Sequence, residues 1–249
     1  MLQEWKAMEK PDEEEIKARL AAAKEKLAKQ QLLIKEQKIP VLVLMEGWGT
    51  AGKGSVIGQV IQNIDPRFFK VESMGEKSEE EHRKPFLYRY FKRIPEEGKF
   101  VFLDSGWMDE IVKDELHGKL SDEDYAKRIE SVRRFERQLT DNGYLVMKFF
   151  LHIPEKEQAK RIKHLEHEKD TVWRVSKNDL WQNRHYEKCE EAFSSYMKNT
   201  NMPSAPWYII DAKSRKWTEL QVLETLTQGI EIALSNQKLA VPLLQNVFP

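Results

Sequence analysis

The chain has almost no cysteine, no long apolar run and no net charge. A single cysteine, Cys189, in 249 residues rules out an internal disulfide and fits a core thiol in a reducing compartment. No stretch approaches the ~20 consecutive apolar residues a membrane-spanning helix needs. Leu2 to Lys10 is too charged for a secretory signal. Lys plus Arg and Asp plus Glu balance at 41 each, so no global field draws in nucleic acid or an anionic membrane. Any polyanion must be met by a local basic cluster. A cytoplasmic protein bound to neither nucleic acid nor membrane is the expectation, and 40% apolar residues suffice for a sizeable core.

What is present is organised around Val41 to Asp65. An apolar run, Val41 to Met45, ends in a glycine-rich turn from Gly47 to Gly54, and a helical pattern follows with Ile57, Val60, Ile61 and Ile64 on one face. Strand, glycine loop and helix are the context of a phosphate-binding P-loop. Gly47, Gly49, Gly52 and Gly54 let successive N–H groups turn inward. Thr50, Ala51 and Ser55 complete the binding stretch, and the helix N-terminus adds partial positive charge. Lys53 supplies a full charge. The spacing Gly47 to Gly52–Lys53 matches G-x-x-x-x-G-K. At the next position Gly54 replaces the usual Ser or Thr, and Ser55 comes one residue late.

Before the loop, Pro11 and Asp12 open a long charged helix over 12–37. Ile16, Leu20, Ala23 and Leu27 give it one narrow apolar stripe. It lies either on the domain surface or in a helical pair or dimer contact. Phe69 to Ser73 reads as a second strand. Gly75 to Pro95 ends in a helix whose buried side is Phe86, Leu87, Tyr90 and Phe91. Phe100 to Asp104 is an apolar strand ending in an acid, the place where P-loop enzymes hold Mg²⁺; helix capping is the alternative role for Asp104. Ser121 and Asp124 cap a helix to about Asp141, and Tyr144 to Leu151 reads as a central buried strand.

The helix from Pro154 lacks a full apolar face. It offers Lys160, Arg161, Lys163, His164 and His167, and is either solvent-facing or a lid over a charged ligand, the lid being favoured beside a P-loop. The histidines lack the further ligands of a zinc site. Another helix reaches Thr200, Trp207 to Asp211 is a fifth strand, and Thr218 to Leu234 closes the fold. Strands and helices alternate five times, which predicts an α/β fold: three layers, with a mainly parallel five-stranded sheet, helices on both faces and a helical lid over about 155–178. One domain spans 1–239, and 240–249 reads as a tail or the start of an interdomain linker. The ligand site belongs at the carboxyl ends of the strands, where Gly47 to Ser55 meets Asp104.

The chain resembles the polyphosphate kinase 2 family from about Trp5 to Leu234. The carriers are MEGWGTAGKG at Met45 to Gly54, Asp65 to Arg67, HRKPFLYRYFKRIP at His82 to Pro95, FLDSGW at Phe102 to Trp107, KFFLHIPEKEQAKR at Lys148 to Arg161, and APWYIIDAK at Ala205 to Lys213. Their order carries the resemblance more than any one segment. It implies a P-loop kinase fold akin to thymidylate kinase and Mg²⁺-dependent phosphoryl transfer between inorganic polyphosphate and a nucleotide, AMP or ADP. On that reading Lys53, Asp104 and Arg89 are catalytic, with Asp104 holding the metal and Arg89 facing the acceptor. Lys160, Arg161, Lys163 and Arg174 close over the polyanion, and Lys77 restores some positive charge.

The chain also departs from the family pattern. The loop usually reads G-x-D-A-A-G-K-G, and Gly49 stands at the acid. The second acidic strand usually ends D-R-S-W-Y, whereas here Asp104 is followed by Ser105 in the arginine's place and Met108 in the tyrosine's. Ser78 replaces an acceptor-side threonine. Some members carry two such domains in tandem with a degenerate amino-terminal copy, and this chain is similar to that copy. The expectation therefore divides. One reading is a polyphosphate:nucleotide phosphotransferase, a homo-oligomer or paired with a partner kinase domain. The other is a degenerate domain that supports an active one. An ATP-dependent nucleoside monophosphate kinase is a more distant option. Restoring both positions, Gly49→Asp with Ser105→Arg, is expected to raise activity where the remaining site is intact.

Overall fold

A computed structural model of the chain describes residues 1–167 and 169–244, with side chains as far as 236. Five strands, β1 (Val41–Gly47), β2 (Phe69–Ser73), β3 (Phe100–Asp104), β4 (Leu145–His152) and β5 (Trp207–Asp211), form one sheet in the order β2-β3-β1-β4-β5. Every pairing is parallel. β1 and β3 are buried along nearly their whole length, as strands covered on both faces must be.

Helix α1 (Glu13–Glu36) starts as its sequence dictates: Asp12 accepts the Glu15 N–H, and three glutamates occupy the positive first turn. α2 (Lys53–Ile61) follows the glycine loop directly. α3 (Glu79–His82) and α4 (Tyr88–Phe91) are single turns, so the helix expected before Pro95 is two short pieces. Leu87 and Tyr90 are buried as expected, but Phe91 is 41% exposed and rests on Phe135. A four-residue turn is too short to present a continuous face.

α5 (Trp107–Leu116), α6 (Asp122–Asp141) and α9 (Tyr186–Thr200) cover one face of the sheet. α2 and α10 (Arg215–Leu244) cover the other, and α1 packs on α10. α7 (Glu155–His167), a single 3-10 turn at Val172–Arg174 and α8 (Lys177–Arg184) lie over the carboxyl end of β1. The helix expected to run from the Ser176–Asp179 lead to Thr200 is broken at His185 into α8 and α9.

Of the two placements open for α1, the helical pair is made within the chain. Arg19 grips Glu224 through two bonds of 2.9 and 2.8 Å, and buried Gln30 donates to the Thr227 carbonyl at 2.8 Å. α10 continues past Leu234 through 240–244, while the rest of the expected tail, 245–249, lies outside the described residues. Among the described residues, no helix is long and apolar enough to cross a membrane.

Candidate active site

The parallel register places the site. Met45 of β1 pairs with Asp104 of β3, so the carboxylate emerges beside the turn that begins two residues later at Gly47. Gly47 adopts φ +135°, and a Cβ there would strike the Leu151 backbone. Gly52, the residue before α2, sits at φ +97° in open space, so its backbone conformation rather than crowding demands glycine. Thr50 takes a left-handed φ of +62°, with its hydroxyl buried and unpartnered among the described residues. Ala51 is buried, and Ser55 is exposed on the first turn of α2. The N–H groups of Lys53, Gly54 and Ser55 open α2 and have no partner within it. They are the anion-attracting end of the helix.

The Lys53 ammonium reaches back over the loop to the Gly47 and Trp48 carbonyls, 3.2 Å from each. Asp104 lies across from it: a Cβ on Gly54 would stand 3.2 Å from Asp104 Oδ2. Burial holds the Asp104 carboxyl above its ordinary range, Lys53 pulls it down and Asp109 pushes it up. Lysine and acid therefore share one electrostatic site, as the loop reading requires.

The site also contains residues that motif spacing did not reveal. Glu46, the last residue before the loop, is fully buried and accepts N–H bonds from Gly106, Met108 and Asp109 at 3.0, 3.2 and 3.4 Å. Its carboxyl oxygen caps the start of α5. Burial and the nearby Asp109 drive it up to about 8, against Lys53 and those N–H bonds. Its only signal in the sequence is an acid closing an apolar strand. Trp48 anchors the loop: it stacks on Tyr186 at 4.0 Å and donates to His152 Nδ1 at 3.2 Å.

The basic residues divide. Arg161 donates to the carbonyls of Thr50, Ala51, Ala212 and Lys213 and pairs with Glu157, so its guanidinium braces the outside of the loop. Lys163 and Arg174 are exposed on the lid, with Arg174 stacked on Trp173 at 5.3 Å. Arg89 is buried, donates to the Gly75 carbonyl at 2.7 Å and lies 3.7 Å from both Glu81 and Glu110. Lys77 joins the same cluster, 2.7 Å from Glu110. Ser78 caps α3 with Glu81. Ser105 occupies φ +61° and donates its N–H to the Met45 carbonyl.

Gly49 is where the lid meets the loop. Its N–H donates to Gln182 Oε1 at 3.0 Å, and its carbonyl accepts from Gln158 Nε2 at 3.3 Å. The Asp179 carboxylate fills the place a side chain at position 49 would take. Nothing in the sequence spacing marks these three residues. Among the described residues, no group of three or more His, Cys, Asp or Glu side chains forms a metal cage. A Mg²⁺ ion does not need one: it keeps several waters and is held by one or two carboxylates together with substrate phosphates. Asp104 beside an anion-binding loop fits that mode.

A parallel sheet with a glycine loop, a following helix and an opposed acid defines a P-loop α/β protein of the kinase-like class. The chain belongs to the polyphosphate kinase 2 family, whose model matches residues 10–238. It is 28% identical over 218 residues to a polyphosphate:AMP phosphotransferase of Pseudomonas aeruginosa, covering 87% of this chain and 44% of that protein. An AMP/ADP-polyphosphate phosphotransferase of Meiothermus ruber is 28% identical over 215 residues, covering 85% and 80%. The chain thus spans under half the length of the Pseudomonas polyphosphate:AMP phosphotransferases it matches. A crystal structure of a Pseudomonas aeruginosa chain assigned to polyphosphate kinase 2 superposes with a TM-score of 0.88 at 25% identity, over 94% of this chain and 50% of that one. The fold is also that of the Arthrobacter aurescens polyphosphate kinase 2, with a TM-score of 0.85 at 24% identity over 89% and 80% of the two chains.

Proposed function

We propose that the chain moves a phosphoryl group between inorganic polyphosphate and a nucleotide, AMP or ADP, with Mg²⁺ bound through Asp104. The observation that carries this reading is the meeting of Lys53, the α2 N-terminus and Asp104 at one end of β1 and β3. A nucleotide phosphate already carries its negative charge, so the attacking group needs no strong base. The protein has to align two phosphates and neutralise them. The α2 N–H groups take the phosphate oxygens, and Lys53 leaves its loop carbonyls for them. Mg²⁺ held by Asp104 would supply neutralisation of phosphate charge. Arg89 and Lys77, held by Glu81 and Glu110 in the free chain, are the charges assigned to the acceptor, and Lys160, Lys163 and Arg174 offer charge along the chain of the polyanion.

The test is ADP or ATP formation from polyphosphate with Mg²⁺, measured beside a Lys53→Ala control. Product no greater than the control's overturns the reading. A second reading has its own support: Gly49, closed over by Asp179, and Ser105, which carries no charge, leave the loop with fewer phosphate-handling groups. There the domain binds phosphate weakly and serves an active partner domain. Binding of tripolyphosphate without turnover would favour it.

A further inference from the structure

Gly49 is contacted from both lid helices at once. Gln182 of α8 accepts its N–H, Gln158 of α7 donates to its carbonyl, and Asn183 Nδ2 holds Gln158 Oε1 at 3.1 Å. Gln158 and Gln182 are buried. Asp179 closes the third side. Its Oδ2 accepts the Ser176 N–H at 2.7 Å, which fixes the carboxylate with Oδ1 over Gly49. A Cβ at position 49 would come within 2.6 Å of Asp179 Cγ and 3.0 Å of its Cβ. A retreat of the Asp179 carboxylate strains its 2.7 Å bond to Ser176.

We propose that Gly49 is the latch that registers α7 and α8 on the phosphate loop, with Gln158 and Gln182 as positioning residues and Asp179 setting the size limit. A loop amide is one of the groups a P-loop offers to phosphate, and here Gln182 engages it instead. The bare glycine exchanges a side chain at this point for close lid docking. Lid position and loop shape are then one coupled unit. Any side chain at position 49, acidic or not, loosens the lid before it contributes chemistry of its own. The inference goes beyond the phosphotransferase reading and does not depend on it.

The experiment is a double-mutant cycle read by hydrogen exchange of the full chain without substrate. Gly49→Ala in the natural background speeds exchange of the α8 amides by at least about tenfold, and in an Asp179→Gly background by less than about twofold. Equal acceleration in both backgrounds, or none in the first, overturns the latch. A second variant keeps the test open if Gly49→Ala fails to fold. Gln182→Met preserves shape but removes the acceptor, and it speeds exchange of the Gly49 amide by about tenfold while leaving β1 protected. An unchanged Gly49 amide overturns the proposal.

Discussion

Gly54, in the first turn of α2, faces the Asp104 carboxylate so closely that a Cβ there would stand 3.2 Å from Oδ2. The helix N-terminus and the acid proposed to hold Mg²⁺ are thus one short gap apart. Lys53 is the charge that lowers Asp104 against its burial, and Asp109 is the one that raises it. Lys53→Ala therefore moves the ionisation of Asp104 to higher pH, and Asp109→Asn moves it lower. Carboxyl carbon NMR of Asp104 reads both shifts, and the same direction in both variants would separate the three residues. On the proposed phosphoryl transfer, Lys53→Ala also lowers turnover by about 10²–10³-fold, because the ammonium that leaves the loop carbonyls for the phosphate is gone.

Glu46 makes stability fall as pH rises. Its carboxyl is protonated up to about 8 in the fold, whereas in the unfolded chain it ionises near its ordinary value of about 4.3. Between those values the folded chain holds the extra proton. Raising the pH through that window therefore removes stability, at up to about 1.4 kcal/mol per pH unit. Glu46→Gln keeps an acceptor for the N–H groups at the start of α5 and flattens this dependence. Urea unfolding at about pH 6 and about pH 8 checks it. Equal slopes in the two proteins would contradict the assignment.

Four of the five strands were legible in the sequence as short apolar runs bounded by turn residues, and β2, FKVES, as a polar-apolar alternation. Phe69–Ser73, Phe100–Asp104 and Trp207–Asp211 fall where the pattern puts them. Lys53 and the loop were legible through spacing, and Asp104 through its place at the end of an apolar strand. The lid contacts were not: Gln158, Asp179 and Gln182 lie more than 100 residues from Gly49, and single polar side chains carry no periodic signal. The role of Arg161 was hidden for a related reason. A guanidinium that serves backbone carbonyls has the same sequence signature as one that serves a phosphate. The break at His185 and the single turns α3 and α4 are tertiary choices that helical propensity does not report.

The two departures from the family pattern now have different expected outcomes. Ser105 already occupies φ +61°, so Ser105→Arg adds a guanidinium beside Asp104 without new backbone strain. It raises phosphoryl transfer by about tenfold or more if the chain is active. Gly49→Asp meets the Asp179 carboxylate and adds like charge to a steric clash. It lowers activity or leaves it flat, so the double variant gains less than Ser105→Arg alone. Steady-state assays of the three variants with polyphosphate and nucleotide decide it. A double variant more active than Ser105→Arg would show that the lid yields at no cost.

Behind the site, a buried ion pair fixes the start of α5. Lys148 of β4 and Glu136 of α6 are fully buried, 2.6 Å apart, and Lys148 also donates to the Thr200 carbonyl at 2.8 Å. Burial raises the Glu136 carboxyl and lowers the Lys148 ammonium, and each partner opposes that shift in the other. The second Glu136 oxygen accepts from Trp107 Nε1 at 3.1 Å, and Trp107 is the first residue of α5, three places after Asp104. Lys148→Met leaves that carboxylate buried and unpaired, at a cost of about 3–5 kcal/mol. Adding Glu136→Gln removes the charge while keeping an acceptor for Trp107, and recovers more than half of the loss. Urea unfolding of the natural chain and the two variants measures this, and Trp107 exposure should follow the same order. If the double variant is no more stable than Lys148→Met, the damage comes from lost packing around β4 rather than from a stranded charge.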